Sequence, residues 1–337
     1  MGATLNNLFA RPLMALTITV VLVMTADWEA QAAPEEEIVP SGVFRVLVSE
    51  SSTTQTEAID RRKTRGPLKN YLLPDNDLRD ATTGAIQRTR SETELRLTFG
   101  LSNAWNISLR LPYLQLEQNS TLQNETTNPE EKAHLATLEN ASISGLGDLR
   151  LSLLYRPVYN DRNGLIWSFG WEKPSAGGDI PFSDSTSLTT TNHVHRYLVL
   201  MQYTRYTAVI RGRYDLSFRW SEGLPATVET TAGNQQKLKP GADIKARMGW
   251  VQEFHDFSFG VESDYGVVGQ NSLGGELLRD NSYRWNYRLQ VGYGNLSGLE
   301  KGPVAFPYRL LISKEGLVRG FNTVADDITI LSLETFF

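Results

Sequence analysis

The stretch YRWNYRLQVGY at residues 283–293 decides the fold of this chain. Every odd position carries an aromatic or aliphatic side chain, and the even positions carry arginine, asparagine, glutamine and glycine. This period of two places the two sets on opposite faces of a β-strand. Residues 105–113 and 149–155 repeat the pattern. The sequence therefore predicts strands with one apolar face and one polar face.

Such segments recur after residue 33. They span about 9–11 residues, the length of a tilted membrane strand. We predict about twelve strands, an even number of the kind that bacterial barrels have. The predicted strands are 43–52, 93–101, 105–116, 147–157, 164–173, 196–203, 207–220, 242–253, 257–265, 283–293, 303–314 and 326–337.

The connections alternate in length. Long polar stretches lie at 53–87, 118–144, 174–195, 221–240 and 266–281, with a shorter one at 315–325, and short turns lie between them. This alternation is typical of an all-β, transmembrane antiparallel β-barrel with short periplasmic turns and long extracellular loops. We expect it in the bacterial outer membrane, with both termini periplasmic. The alternative is a soluble fold, either a β-sandwich or a propeller-like fold. A sandwich also alternates, but aromatic residues at both strand ends, as at Trp105 and Tyr113, favour two interfacial girdles.

The N-terminus has the pattern of a secretory signal peptide over residues 1–32. Arg11 precedes the apolar stretch 13–26, and Ala30-Gln31-Ala32 supplies a small-x-small cleavage site. A membrane anchor is the alternative, but this run is shorter than the roughly 20 residues that a spanning helix needs. Residues 33–337 are then a single barrel domain.

Composition narrows the function. The formal charge of −5 gives no reason to expect a nucleic-acid partner. With no cysteine, the chain can form neither disulfides nor thiolate metal sites. The mean hydropathy of −0.30 is compatible with a barrel, because alternation hides the apolar face in the average.

Charged side chains on the predicted membrane strands must face a watery interior, since an arginine facing lipid at the midplane costs about 2–4 kcal/mol. They form either a selectivity lining or internal salt bridges that fill a narrow barrel. The predicted lumen-lining charges are Glu94, Arg96, Arg110, Asp148, Arg150, Arg156, Glu172, Arg211, Arg213, Lys245, Arg247, Glu262, Asp264, Arg284, Arg288 and Arg309.

The turn centres predict which of these charges oppose one another. Turns centred near Ser102, near Asp161 and between Phe254 and His255 join opposite charges in each hairpin. We therefore predict a mixed-sign network of ion pairs that crosses the lumen and gives weak charge selectivity. The predicted pairs are Glu94–Arg110, Arg150–Glu172, Lys245–Asp264 and Arg247–Glu262.

The last strand resembles the assembly signal of outer-membrane barrels, which end in an aromatic residue preceded by apolar residues at alternate positions. Phe337, Leu333 and Leu331 fit that signal, and Thr335 departs from it. The resemblance implies the barrel assembly machinery as a partner, beside outer-membrane lipid and lipopolysaccharide.

Two stretches resemble the phenol-degradation (MetA-pathway) group of outer-membrane proteins and its uncharacterised relatives. They are LTFGLSNAWNISLRLPY at 97–113 and GLGDLRLSLLYR at 145–156; a weaker match, WEKPSAGGD at 171–179, retains Pro174, Gly178 and Asp179. The resemblance covers residues 95–180. It implies a channel or transporter for small molecules and leaves the substrate open.

An enzyme is the less favoured alternative. A lipid hydrolase needs a histidine beside a serine or carboxylate on a rigid wall, and no strand shows that pair. His193 and His195 share one strand face and are a weak metal candidate, more simply explained as an exposed loop-end pair. We predict no cofactor. The hypotheses are a channel for small, neutral or aromatic organic solutes, a lipid-modifying enzyme, or a closed structural or adhesive barrel that acts through loops such as 118–144.

Overall fold

A computed structural model describes residues 38–73, 76–136, 138–159, 163–175, 194–207, 212–229, 234–254, 256–278, 280–295 and 307–337. The predicted signal peptide lies outside these residues. The helices are α1 (Leu68–Leu72), α2 (Asn76–Ala81) and α3 (Pro129–Ala136). The strands are β1 (Phe44–Gln55), β2 (Glu57–Ile59), β3 (Arg65–Pro67), β4 (Ile86–Gly100), β5 (Trp105–Ser120), β6 (Ala141–Leu146), β7 (Leu149–Tyr159), β8 (Asn163–Lys173), β9 (Arg196–Thr207), β10 (Gly212–Gly223), β11 (Ala226–Glu229), β12 (Gln235–Lys239), β13 (Asp243–Phe254), β14 (Phe257–Val268), β15 (Ser272–Leu273), β16 (Glu276–Leu277), β17 (Ser282–Asn295), β18 (Tyr308–Phe321), β19 (Thr323–Ala325) and β20 (Asp327–Phe336).

The long strands form one closed antiparallel barrel. Their order is β1, β4, β5, β7, β8, β9, β10, β13, β14, β17, β18 and β20, and β20 pairs back with β1. The short strand β6 continues the line of β7 along β5, so the wall has twelve strands. The predicted strand number and antiparallel topology are confirmed.

Alternation along each strand separates the two faces of the wall. Leu289 and Val261 are each 51% exposed on the outside, whereas their neighbours Gln290 and Glu262 are each 9% exposed on the inside. With no partner on the outside, these apolar side chains form the band that a bilayer would cover. Among the described residues no helix has both the length and the apolar character needed to cross a membrane.

Aromatic contacts mark both rims of this band. At the end that carries the short turns, called here the turn end, Tyr293 packs 5.0 Å from Phe257 and 6.3 Å from Tyr308 between ring centroids. At the opposite loop end, Tyr283 lies 6.0 Å from Tyr265 and 5.8 Å from Phe321. These positions match two interfacial girdles.

Several strands extend beyond their predicted bounds toward the loop end. β4 begins at Ile86 and β5 ends at Ser120, and β18 continues to Phe321 through most of the predicted 315–325 connection. In the extensions of β4 and β5 both faces are polar, at residues 87–92 and 117–120, so alternation gives no signal there. Strand pairing continues nevertheless, because backbone hydrogen bonds do not depend on side-chain polarity.

Two of the predicted long loops fold into a small cap at the loop end. β2 pairs with β3 and with β19, and α1 follows directly. Buried Leu68, Leu72 and Leu78 pack in one core with Leu138 from the other loop. Burial raises the pKa of the Tyr71 phenol beside this core.

Candidate functional site: the charged interior of the barrel

Most of the predicted interior charges lie on the buried face of the wall. Six of them are buried: Glu94, Glu172, Arg213, Glu262, Asp264 and Arg309. The others in the described part of the chain are half-buried: Arg96, Arg110, Asp148, Arg150, Arg156, Lys245, Arg247, Arg284 and Arg288. Arg211 lies outside the described residues.

Glu94 is the centre of a cluster on β4 and β5. Its carboxylate accepts from Arg110 Nε at 2.5 Å and from Arg96 Nη2 at 2.8 Å. Arg110 also reaches Glu92 at 2.8 Å. The predicted contact between Glu94 and Arg110 therefore forms, although not through the predicted register.

The predicted register of this hairpin is wrong by two residues. Pro112 faces Glu94 directly, and Arg110 faces Arg96. Trp105 O accepts the backbone N–H groups of both Leu101 and Ser102, and this places the turn centre one residue further along than Ser102. Arg110 and Glu94 are thus diagonal neighbours, which long side chains can still bridge.

In the next hairpin the predicted register is confirmed. Arg150 faces Glu172, and Arg150 Nη2 lies 2.6 Å from the Glu172 carboxylate. Asp148 lies between β6 and β7, where the pairing with β5 shifts by one residue. Arg156 is at the turn end, where its Nη2 donates to the backbone oxygen of Asn103 at 2.7 Å.

In the β13–β14 hairpin the predicted register is again wrong by two residues. Phe254 pairs with Phe257, so Lys245 faces Gly266 and Arg247 faces Asp264. The predicted opposition of Lys245 with Asp264 and of Arg247 with Glu262 is therefore wrong by two residues. The ion pairs form diagonally, at 3.1 Å and 3.8 Å respectively.

Arg288 on β17 links this hairpin to β18. Its guanidinium lies 3.3 Å from Glu262 and 2.8 Å from Glu315, and Arg284 lies 3.5 Å from Glu315. Glu315 was not among the predicted interior charges, because residue 315 falls in the predicted 315–325 connection. The outward Leu310 and Ile312 continue the alternation toward it and were the available signal.

A fully buried cluster of three charges joins β1, β20 and β18. Glu334 forms ion pairs with Arg45 and with Arg309, whose Nε lies 2.6 Å from Glu334 Oε2. Only Arg309 of these three was predicted. Glu334 follows the outward-facing Leu331 and Leu333 at an inward position of the last strand. This alternation supported the predicted assembly signal, but the inward position of Glu334 was not added to the predicted interior charges.

Two further ion pairs lie on the inner face of the wall. Arg213 Nε lies 2.7 Å from Asp215 Oδ2 on the same strand. Arg196 on β9 binds Asp243 on β13 across the intervening β10.

The network follows the wall. Its inter-strand pairs join adjacent strands or, for Arg196 and Asp243, strands separated by one. The four predicted opposite-charge pairs all form, each between adjacent strands, so the mixed-sign network lies along the inner face of the wall. Both signs do alternate along the inner face, as predicted.

The chain before β1 enters the turn end of the barrel. Ile38 packs with Leu154 and Ile166, both buried on inner positions of β7 and β8. Val39 is fully buried, and its backbone oxygen accepts from Asn106 Nδ2 at 2.9 Å. Residues 38–40, called here the entry segment, thus occupy part of the interior at this end.

The remaining predicted sites are at the strand ends. His195 stacks on Trp171 with 5.5 Å between ring centroids, and His193 lies outside the described residues. In the part of the chain that the structure describes, no group of three or more potential ligands could hold a metal ion. Leu331 is exposed on the outer face of β20, Leu333 is half-buried, and Phe337 pairs its backbone with Phe44.

Comparison with known proteins gives likenesses of structure and none of sequence. No family model and no curated protein matches the chain. Its fold is similar to the crystal structure of the COG4313 outer membrane channel from Pseudomonas putida F1, with a TM-score of 0.66 and 13% identity over 91% of this chain and 100% of that one. More distant likenesses include the TodX deltaS2S3 mutant monoaromatic hydrocarbon channel (TM-score 0.42, 9% identity, 88% and 91% coverage). A Pseudomonas aeruginosa FadL homologue is a further one (TM-score 0.41, 8% identity, 88% and 90% coverage).

The closed twelve-stranded wall and the first of these likenesses define the class. The fold of this protein is that of an outer-membrane β-barrel.

Proposed function

We propose that the protein is an outer-membrane channel for small organic solutes, neutral or aromatic, and that its buried charges line the passage. The observation that carries this proposal is the mixed-sign network on the inner face, from Glu94 and Arg110 to Arg288 and Glu315. A wall of paired charges is wettable, yet it offers no ring of one sign to select ions. The first structural likeness, to a protein described as a channel, supports the same function.

We further propose membership of the phenol-degradation group of outer-membrane proteins. Its support is the pair of quoted stretches at 97–113 and 145–156, which span the β4–β5 hairpin and the β6–β7 line. The proposal includes periplasmic termini, extracellular loops, assembly through the terminal strand, and contact with lipopolysaccharide.

Planar-bilayer recordings on the purified protein test the channel. We expect discrete conductance steps and a reversal potential near zero in a salt gradient, since both signs line the wall. Replacing Glu262 and Glu315 by Gln leaves Arg288 without its carboxylates, and should shift the reversal potential toward anions. Lys314→Gln, on the exposed outer wall, is the control and should leave it unchanged.

The absence of conductance steps in bilayers, together with unchanged solute uptake in a deletion strain, would contradict the proposed channel. A closed barrel that acts through its loops would then be the better account, because the cap is a folded unit.

A further inference from the structure

A basic turn lies at the loop end, between β2 and β3. The backbone N–H groups of Arg62 and Thr64 donate to Asp60 Oδ1 at 2.8 Å and 2.9 Å. Lys63 adopts a φ of 63° and donates its N–H to Asp60 O at 3.0 Å. Asp60 therefore fixes the turn, which holds the basic side chains exposed.

This turn lies against the outer wall. Asn322 N donates to Asp60 O at 3.3 Å, which ties the turn to the end of β18. Lys63 Nζ lies 5.9 Å from the ring centroid of Tyr283, a member of the loop-end aromatic group. Arg319 is exposed on the same wall, opposite Trp285 in the β17–β18 register. Arg62, Lys63 and Arg319 are called here the basic patch.

The carboxylates of the same hairpin, Asp60 and Glu57, have partners other than the basic patch. The Asp60 side chain is engaged by the turn's own backbone, and Glu57 pairs with Arg65 at 2.6 Å. Within the described ranges, no carboxylate forms an ion pair with Arg62, Lys63 or Arg319. Exposed positive charge thus remains at the level where the aromatic girdle meets the headgroups.

We propose that the basic patch binds the phosphate groups of lipopolysaccharide in the outer leaflet. Ammonium and guanidinium groups bind phosphate through charge-assisted hydrogen bonds. The girdle below them packs against acyl chains, so one surface meets both halves of the glycolipid. The inference rests on the loop end facing outward, which is part of the proposed function.

Lipid binding to purified protein in phosphatidylcholine nanodiscs tests the patch. The test variant is R62Q/K63Q/R319Q, and Gln at 63 adds no strain that Lys does not already have. The control is K132Q/K237Q/K239Q, which removes three exposed charges from other loops. Each surface charge contributes about five-fold to anionic lipid binding, so diphosphoryl lipid A should bind the test variant on the order of 100-fold more weakly. The control should stay within about two-fold of wild type, and the loss should shrink in high salt.

Three further arms identify the occupant. Dephosphorylated lipid A should bind wild type and both variants with equal affinity. The loss of affinity in the test variant should be much smaller for phosphatidylglycerol than for diphosphoryl lipid A. Inorganic phosphate should not compete with lipid A for the wild-type protein. Equal binding of test and control variants overturns the proposal, as does an equal loss for phosphatidylglycerol or competition by phosphate. Heat-modifiable migration verifies folding of each variant. Channel conductance is measured separately. A protein that shows no conductance, but whose test variant still binds lipid A more weakly than the control variant, would contradict the proposed channel and leave the lipid site supported.

Discussion

Glu334 pairs with Arg45 and Arg309 in a deeply buried part of the wall. Its side chain is fully buried, and those of Arg45 and Arg309 are 2% and 3% exposed. A buried carboxylate between two guanidinium groups stabilises the fold only as long as both partners stay paired.

Glu334→Gln should therefore destabilise the protein strongly. The change keeps the shape of the side chain and leaves Arg45 and Arg309 without a counter-charge, at a cost of ~3–5 kcal/mol. Urea unfolding in detergent measures it. The matched control is Glu57→Gln in the exposed pair with Arg65, which should cost less than ~1 kcal/mol. Equal unfolding midpoints for the two variants would refute the structural role of Glu334.

For individual residues, the sequence predicted which charged side chains form ion pairs more accurately than it predicted the strand registers. Period two identified the inward face, and long arginine and lysine side chains tolerate a diagonal offset, so the contact of Arg247 with Glu262 survived a wrong register. Turn geometry was the unpredictable part, since one residue in a turn centre shifts the register by two. Glu315 was missed because residue 315 was assigned to a connection, and Glu334 because the last strand was interpreted only as an assembly signal.

Among the elements, the entry segment and β4 fit each other closely. Gly100 has the backbone oxygen of Pro40 only 1.8 Å from the position a Cβ would take. Gly42 N also donates to Gly100 O at 2.9 Å. No side chain other than hydrogen fits this contact without movement.

Gly100→Ala should displace the entry segment from the turn end. Single-channel conductance should rise, because Ile38 and Val39 would leave the interior. Gly266→Ala is the control: its Cβ would meet nothing closer than 3.7 Å, and conductance should not change. Unchanged conductance in Gly100→Ala, with the variant folded, would mean that the segment does not limit the passage.

The last strand carries a different prediction. Phe337 directly follows β20 and pairs its backbone with Phe44, and a charged residue there would replace the terminal aromatic that assembly is expected to recognise. Phe337→Asp should lower the amount of folded barrel in outer membranes, measured by heat-modifiable migration of membrane fractions. Leu277→Asp, at a side chain that is 64% exposed in a loop hairpin, is the control. Normal membrane levels of Phe337→Asp would remove the assembly role.

The sequence pattern predicted the membrane-spanning parts of the strands but not their full lengths or the cap helices. The membrane portions of β4 and β5 were predicted because lipid demands alternation, whereas their extensions to Ile86 and Ser120 were not. The cap helices were also missed, since α1 and α2 span five and six residues and are too short to show a helical period.

For the whole molecule, orientation in the membrane is the next testable property. The natural chain has no cysteine, so single substitutions give unambiguous labelling. Glu125→Cys in the cap should react with an impermeant maleimide on intact cells, and Asp256→Cys in a short turn should react only after the outer membrane is opened. Both positions are exposed in the structure, so access alone separates them. The opposite pattern would invert the barrel.

The pairing of β1 with β20 has a consequence for how the chain folds. Every other neighbouring pair in the wall joins strands that follow one another, apart from short strands in the loops. Phe44 and Phe337 instead exchange backbone hydrogen bonds at 2.9 Å and 2.8 Å from opposite ends of the described chain. The entropy lost in joining two segments grows with the length of chain between them. The β1–β20 pairing should therefore form last, after the hairpins have paired with one another. The ion pair between Arg45 and Glu334 then stabilises the closed barrel across this junction.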